Sequence, residues 1–209
     1  MAVSVLCLLI NEKSVYLHFT KETDFAKINN MQKIFLIGYM GSGKTTIGKL
    51  LAKRLNLPFI DLDLFIENRY RKSVGEIFVE KGEDDFREIE RKALQEVSQF
   101  ENLIISTGGG TPCFFDNMSV MNKAGISIYL KVGIEELAKR LSGCKEKRPL
   151  IKDKSLEELK EFISINIEKR EIFYNQATYI YNAEQLMTKE DVSSIVEHLI
   201  SYLSKAEVV

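Results

Sequence analysis

Residues 38–46, GYMGSGKTT, have the residue types and the spacing of a phosphate-binding loop. They match every fixed position of the pattern G-x-x-x-x-G-K-[ST]. The glycines allow backbone N–H groups to curl around a polyphosphate, and a following helix adds the partial positive charge of its N-terminus. Lys44 can reach the outer phosphates, and the Thr45 hydroxyl can ligate Mg²⁺. The alternative is a glycine turn that only joins a strand to a helix.

The segments on either side of this loop favour the nucleotide site over the simple turn. Before it, KIFLIG at 33–38 is an apolar run that is typical of a buried strand. After it, TIGKLLAKRL at 46–55 places its isoleucine and leucines on one helical face. Strand, glycine loop and helix together are the context that the motif requires.

Apolar runs alternate with helical patterns through the rest of the chain. The predicted strands are 33–38, 58–63, 103–109, 126–132 and 177–182, and the predicted helices are 44–56, 63–71, 83–100, 116–124, 133–142, 155–175 and 188–204. This alternation predicts an α/β fold, a three-layer α/β/α domain around a five-stranded parallel sheet. Ligands of such a sheet bind outside the carboxyl ends of the strands.

Length and composition indicate one globular catalytic domain. The chain has 209 residues, and its 29 basic side chains against 30 acidic ones give no surplus that would indicate nucleic acid or an anionic membrane as a partner. Cys7, Cys113 and Cys144 are too far apart for a disulfide framework or a metal site, which favours a reducing, cytoplasmic setting. His18 and His198 are the only histidines, so we expect no histidine-based triad or zinc site.

Residues 1–30 are predicted to form an N-terminal extension outside a domain that covers 31–205. The apolar start MAVSVLCLLI is too short to span a bilayer, and it lacks the basic region and cleavage site of a signal peptide. Three interpretations stay open: a flexible extension, an upstream choice of start with Met31 as the alternative, and a functional leader.

Paired carboxylates follow the second predicted strand. Asp61 and Asp63 are two residues apart, so strand alternation would place both on the same side, near the phosphate loop. One could hold the Mg²⁺ shell and the other could accept a hydrogen bond from a substrate hydroxyl. The alternative is that the strand simply ends there, with Asp63 as the N-cap of the next helix.

Two further segments can complete an acceptor site. In GEDDFREIERKALQEV, Arg87, Glu88, Glu90 and Arg91 are interpreted first as a solvated face, and an arginine that clamps a substrate carboxylate is the alternative. In STGGGTP, residues 106–112, three successive glycines favour close backbone approach to a ligand over a plain tight turn.

A basic segment and a distant arginine suggest a closing lid. CKEKRPLI at 144–151 lies between two predicted helices, and its Arg148 could neutralise charge on a transferred group, although a solvated charge run is the alternative. Arg170, in EKREIFY, could reach the same cleft. These features together predict phosphoryl transfer from a nucleotide to a small, hydroxylated, anionic acceptor, with water excluded.

The combination of IGYMGSGKTTIGKLLA, FIDLD, GEDDFREIE, STGGGTP, KRPLI and EKREIFY resembles the shikimate kinase family over about residues 31–203. The resemblance implies a P-loop kinase fold like that of nucleoside monophosphate kinases, with an acceptor-binding region at about 63–95 and a lid at about 142–155. It also implies transfer of the ATP γ-phosphate to the 3-hydroxyl of shikimate, with Mg²⁺, in the cytoplasmic pathway to chorismate and the aromatic amino acids. A monomer is expected.

The resemblance also implies a role for each matching residue. The ATP phosphates would be bound by Gly41, Ser42, Gly43, Lys44, Thr45 and Thr46, and by the lid residue Arg148. Mg²⁺ would be held by Thr45 and, through water, by Asp61. Shikimate would be bound by Asp63, Arg87, Gly109, Arg170 and Glu90. Lys44, Asp63 and Arg148 would act in catalysis.

Two positions depart from the family pattern. Ile172 stands where many members have proline, and the segment NAEQLMTKED lacks an arginine near adenine, so Lys189 or backbone groups are the candidates there. Two other functions stay open. A gluconate-type sugar-acid kinase would share the loop and the carboxylate clamp, and a non-catalytic P-loop module would bind nucleotide without an acceptor.

Overall fold

The computed structural model describes residues 33–143, 151–184 and 188–206. Five strands form one sheet, in which every neighbouring pair is parallel. In chain order they are β1 (Lys33–Ile37), β2 (Phe59–Asp61), β3 (Leu103–Ser106), β4 (Ile126–Lys131) and β5 (Tyr179–Asn182). Their order across the sheet is β2-β3-β1-β4-β5. The predicted five-stranded parallel α/β fold is therefore confirmed.

Helices connect the strands. They are α1 (Lys44–Leu55), α2 (Leu62–Tyr70), α3 (Val74–Val97), α4 (Asn117–Ala124), α5 (Ile134–Ser142), α6 (Leu156–Tyr174) and α7 (Lys189–Ala206), with a 3-10 turn at Thr111–Cys113. Within these described residues, no helix is long and apolar enough to cross a membrane.

The two central strands show that helices cover both faces of the sheet. Successive side chains of a strand point to opposite faces, yet every residue of β1 and β3 is buried. Helix α1 lies especially close to the sheet at Gly48, where an added Cβ atom would be only 2.5 Å from the ring of Phe59. This close contact fixes the N-terminus of α1, and with it the phosphate loop, against the sheet.

Helix α3 is longer than predicted. The sequence pattern predicted a helix from residue 83, but the structure has helix from Val74, because Ser73 and Glu76 form a reciprocal capping box that starts it. Gly82, with φ 81° and ψ 176°, is non-helical, so α3 consists of two helical segments that meet at a kink there. In the sequence, a glycine at this position does not show that helix lies before it as well as after it.

Candidate active site

The phosphate loop joins β1 to α1 in the predicted order. Its glycines at 38, 41 and 43 all have positive φ, between 82° and 139°, a region that other residues rarely adopt. Gly43 is the N-cap of α1 and gives no side-chain cap, and the first turn of α1 contains no acidic residue. The first N–H groups of α1 thus face the loop at the positive end of the helix, which is an arrangement suited to phosphate.

Lys44 and Thr45 connect this loop to its surroundings. The Lys44 ammonium is buried and donates to the carbonyl oxygens of Gly38 and Tyr39, at 2.8 and 2.9 Å. The Thr45 hydroxyl donates to Asp61 Oδ2 at 2.8 Å. A cation and a pair of hard oxygen ligands therefore lie side by side at the start of α1.

Asp61 and Asp63 reach the loop by a different route from the one that strand alternation predicted. β2 ends at Asp61, which caps α2 by accepting a hydrogen bond from the backbone N–H of Leu64, and Asp63 already lies in the first turn of α2. The alternation argument is wrong, because the chain turns helical between the two residues. Both carboxylates nevertheless line one cavity of about 350 Å³ with the phosphate loop.

The environment of Asp63 disfavours its charge. Burial is the largest cause, and the nearby carboxylates of Glu90 and Asp61 add to it, while Lys44 acts in the opposite direction. Together they raise the pKa of Asp63 from its ordinary 3.8 to about 6. A carboxyl group with this pKa, beside a phosphate loop, is suited to accept a proton near neutral pH.

The glycines 108–110 lie beside four different charged side chains. An added Cβ at Gly108 would lie 2.9 Å from both Asp63 Oδ1 and Glu90 Oε1, and one at Gly110 would lie 2.7 Å from Arg87 Nη1. At Gly109 it would lie 3.6 Å from Arg170 Nη1. None of the three has positive φ. At Gly108 and Gly110 glycine is favoured for space, because side chains of the site occupy the volume that a larger residue would fill, whereas a Cβ at Gly109 would make ordinary contacts.

Arg87 and Glu90 form a buried ion pair. Arg87 Nη1 donates to Glu90 Oε2 at 2.9 Å, and their side chains are only 11% and 2% exposed. Phe114 lies against the guanidinium, with its ring centroid 4.0 Å from Arg87 Cζ. The interpretation of these charges as a solvated face is therefore wrong for Arg87 and Glu90, although it holds for the exposed Glu88.

Arg170 approaches the glycines from α6. Its guanidinium carbon lies 5.4 Å from the ring centroid of Tyr39 in the phosphate loop. One turn later on α6, the Tyr174 hydroxyl donates to the Gly109 carbonyl oxygen at 2.6 Å. The structure thus brings α6, the phosphate loop and the triple glycine together.

Two residues of the site were missed by sequence reasoning. Arg140, on α5, donates to the backbone oxygens of Gly41, Ala183 and Glu184, so it joins the phosphate loop to the chain after β5. The fully buried Thr111 donates through its hydroxyl to Glu90 Oε1. Arg140 belongs to no motif, and Thr111 was not singled out although it lies in STGGGTP, because only the fold shows what each side chain contacts.

Several predicted features lie outside the described residues. They are the extension 1–30 with Cys7 and His18, the lid segment 144–150 with Arg148 and Cys144, and the side chain of Lys189. Cys113 is a free thiol, and burial raises its pKa to about 11, which makes it a poor nucleophile at neutral pH.

Comparison with known proteins gives one consistent family. A family model described as shikimate kinase matches residues 40–200. A shikimate kinase of Parabacteroides distasonis is 56% identical over 173 residues, which are 83% of this chain and 100% of that protein. One of Bacteroides thetaiotaomicron is 52% identical over 169 residues, 81% of this chain and 97% of that protein.

Solved structures agree with the sequence relatives. A crystal structure of shikimate kinase from Bacteroides thetaiotaomicron has a TM-score of 0.81 and 51% identity, and the match covers 83% of this chain and 98% of that one. A shikimate kinase from Acinetobacter baumannii, solved in complex with shikimate, has a TM-score of 0.77 and 25% identity, covering 88% and 99%.

Proposed function

The chain belongs to the shikimate kinase family, and from this premise we propose that it transfers the γ-phosphate of ATP to the 3-hydroxyl of shikimate. It is an enzyme, a kinase of the pathway to chorismate and the aromatic amino acids. The observation that carries the proposal is the set of contacts around Gly108–Gly110. Asp63, Arg170 and Arg87 lie beside these glycines, of which Gly109 lines the phosphate-loop cavity together with Asp63.

The nucleotide side of the reaction is assigned to the loop. We propose that the backbone N–H groups of residues 41–46 bind the β- and γ-phosphates of ATP, supported by the uncapped N-terminus of α1. Hydrogen bonds to two carbonyl oxygens hold the Lys44 side chain in position. Its positive charge offsets the negative charge that grows on the phosphates during transfer.

Thr45 and Asp61 fit Mg²⁺. Among the residues that the structure describes, no group of three His, Cys, Asp or Glu side chains could hold a metal ion. Mg²⁺ is commonly bound through only one or two protein oxygens, with waters and substrate phosphates as its other ligands. The hydroxyl of Thr45 would supply one such oxygen, and the adjacent carboxylate of Asp61 would hold the ion through water. A bound Mg²⁺ would neutralise charge on the phosphates.

On the acceptor side, Asp63 is proposed as the general base. Its carboxylate accepts the proton of the 3-hydroxyl as that oxygen bonds to the γ-phosphorus of ATP, and the bond from phosphorus to ADP breaks. Arg87, beside Gly110, and Arg170, beside Gly109, pair with the carboxylate of shikimate. Glu90 keeps Arg87 in orientation, and the backbone of Gly109 contacts the ring.

Three further parts of the proposal rest on the sequence. We propose that Arg148 acts from a lid at 142–155, that residues 31–205 form the catalytic domain with an acceptor-binding region at 63–95, and that 1–30 are an extension. We also propose a cytoplasmic monomer. The near-equal counts of 29 basic and 30 acidic residues support the further proposal that it has no nucleic-acid or membrane partner.

ADP release tests the function directly. The full chain with Mg-ATP is expected to release ADP when shikimate is added, but not with gluconate or without an acceptor. Release with gluconate would instead favour a sugar-acid kinase. Release that is independent of any acceptor would indicate an ATPase, and no release at all would leave a nucleotide-binding module.

Exchanging Arg87 for lysine tests the carboxylate clamp while it keeps the charge beside Glu90. Lysine is a point charge without the planar fork of arginine, so one charge-assisted hydrogen bond to the acceptor should be lost. We expect the KM for shikimate to rise about tenfold, with the KM for ATP unchanged. Arg91→Lys, one turn further along α3, is the matched control. Equal increases in both KM values would contradict the placement of Arg87.

Gly110→Ala tests the space requirement of the triple glycine. The new methyl group would lie 2.7 Å from Arg87 Nη1, so the guanidinium must shift away from it. We expect the KM for shikimate to rise about tenfold or more, since displacements of about 1 Å at a site are costly. Gly75→Ala is the control, because its nearest neighbour would be 4.0 Å away. Unchanged steady-state kinetics of Gly110→Ala would show that Arg87 can move without cost.

A further inference from the structure

The donors of Arg87 are unevenly satisfied. A guanidinium carries five N–H donors in a fixed fork. Nη1 is bound to Glu90, whose side chain is itself buried and held by Thr111, so this pair is a fixed part of the fold. Nη2 donates to Glu83 Oε1 at 3.2 Å. Nε is buried and has no hydrogen-bond partner among the described residues.

The ion pairs of Arg87 with Glu90 and with Glu83 differ in how easily they can be broken. The side chain of Glu83 is 59% exposed, against 2% for Glu90. Exposed ion pairs contribute little to stability, whereas a buried charge that loses its partner is strongly penalised. Glu83 is therefore the partner that Arg87 can release.

Nε and Nη2 lie on the same edge of a guanidinium, and a carboxylate binds this edge through two parallel hydrogen bonds. In the described structure that edge is half used, because Glu83 contacts Nη2 while Nε has no partner. One broad face is covered, since the ring of Phe114 lies against it at 4.0 Å. A ligand carboxylate that takes the whole edge must replace the carboxylate of Glu83.

The backbone before Glu83 separates it from the preceding helix. Gly82 has φ 81° and ψ 176°, and no atom lies within 4 Å of the position of an added Cβ. Glu83 thus begins a new helical segment at an open, glycine-hinged point. Its side chain can turn away from Arg87 without disturbing the buried pair of Arg87 with Glu90.

We infer that Glu83 is an internal competitor of the acceptor: its carboxylate occupies Arg87 in the free enzyme and is displaced by the carboxylate of the bound substrate. This inference rests on the proposed function, because it takes Arg87 as the acceptor's carboxylate site. Its consequence is selectivity. An acceptor with a carboxylate replaces the lost ion pair, whereas a neutral polyol would have to break it without replacement.

Glu83→Gln is the test, with steady-state kinetics and calorimetric titration of shikimate into the full chain. Removal of the competitor should lower both the KM and the Kd for shikimate about three- to fivefold, the range that an exposed ion pair can account for. The kcat and the KM for ATP should not change. A merely structural pair would give the opposite result, an unchanged or higher KM for shikimate.

Two further variants separate displacement from a general effect of charge. Glu83→Asp keeps the charge but shortens the reach, so it should behave like Glu83→Gln. Glu80→Gln removes the same charge on the other side of Gly82, from a side chain that pairs with Lys72, and should leave the KM unchanged. The inference fails if Glu83→Asp matches the wild type, or if Glu80→Gln lowers the KM equally. Absence of any shikimate-dependent turnover in the wild type would instead overturn the proposed function, and the inference with it.

Discussion

Lys44→Ala is expected to lower kcat about a thousandfold while the protein stays folded. Lys44 is the only cation that the described structure places within the phosphate loop itself, and its ammonium is held by the oxygens of Gly38 and Tyr39. Loss of one preorganised group that stabilises transition-state charge typically costs about 10²–10³ in kcat. The KM for ATP should rise as well, because we propose that the same ammonium binds the phosphates before transfer.

Separate measurements of turnover and stability distinguish this loss from unfolding. The variant removes two hydrogen bonds within the loop, each worth about 1 kcal/mol, so a modest drop in Tm is expected. Lys49→Ala, on the exposed side of the same helix, is the control and should keep its kcat. If Lys44→Ala retained wild-type turnover with Mg-ATP, the assignment of the loop as the nucleotide site would be wrong.

Most of the fold could be predicted from the sequence, because the spacing of apolar residues reflects which of them are buried. β1 and β3 are buried on both faces and appear as continuous apolar runs, so their pairing in a parallel sheet followed from the helices between them. The first part of α3 was missed because that segment lies before Gly82 and is highly exposed, as at Val79. Its capping box at Ser73 and Glu76 was the available signal.

The parts of the candidate site that depend on residue identity could be predicted from the sequence. The parts that depend on where a side chain points could not. The loop at 38–46 and the glycines at 108–110 are visible as motifs. The burial of Arg87 and Glu90 was not visible, because a charged helix face has the same pattern whether it meets solvent or a triple glycine. Arg140 was missed for a related reason: its contacts are backbone oxygens from two distant segments, which only the folded chain brings together.

Asp63→Asn should abolish most turnover and preserve ATP binding. Asparagine has nearly the same shape but cannot accept the proton of the substrate hydroxyl at neutral pH. Positioned general bases contribute about 10²–10⁴ to rate, so we expect kcat to fall about a thousandfold. Asp85→Asn, at an exposed position of α3, is the control. A non-catalytic module would be indifferent to both changes.

The pH dependence gives a second readout of the same group. The pKa of Asp63 is about 6, so its base form is lost as pH falls through 6, and kcat/KM for shikimate should fall with it. The residual activity of Asp63→Asn should lack this limb. A wild-type limb centred near pH 4 would show that Asp63 titrates like an ordinary aspartate and that its environment does not tune it.

Stability should change in the direction opposite to activity. Because folding raises the pKa of Asp63 from 3.8 to about 6, the folded state binds this proton more tightly than the unfolded state. Below about pH 4 both states are protonated and the group has no effect on stability. Between pH 4 and 6 the penalty of the buried charge develops, and above pH 6 it is complete.

Asp63→Asn never carries the charge, so at pH 7 its free energy of unfolding should exceed that of the wild type by about 1–2 kcal/mol. The gain is smaller than the whole pKa shift would give, because the side chain still reaches an open cavity. Urea unfolding at pH 4 and at pH 7 should show this difference only at the higher pH. A variant that is less stable at pH 7 would show that Asp63 supports the fold, whereas a gain in stability with a loss of turnover would show that the charge at this position is kept for catalysis.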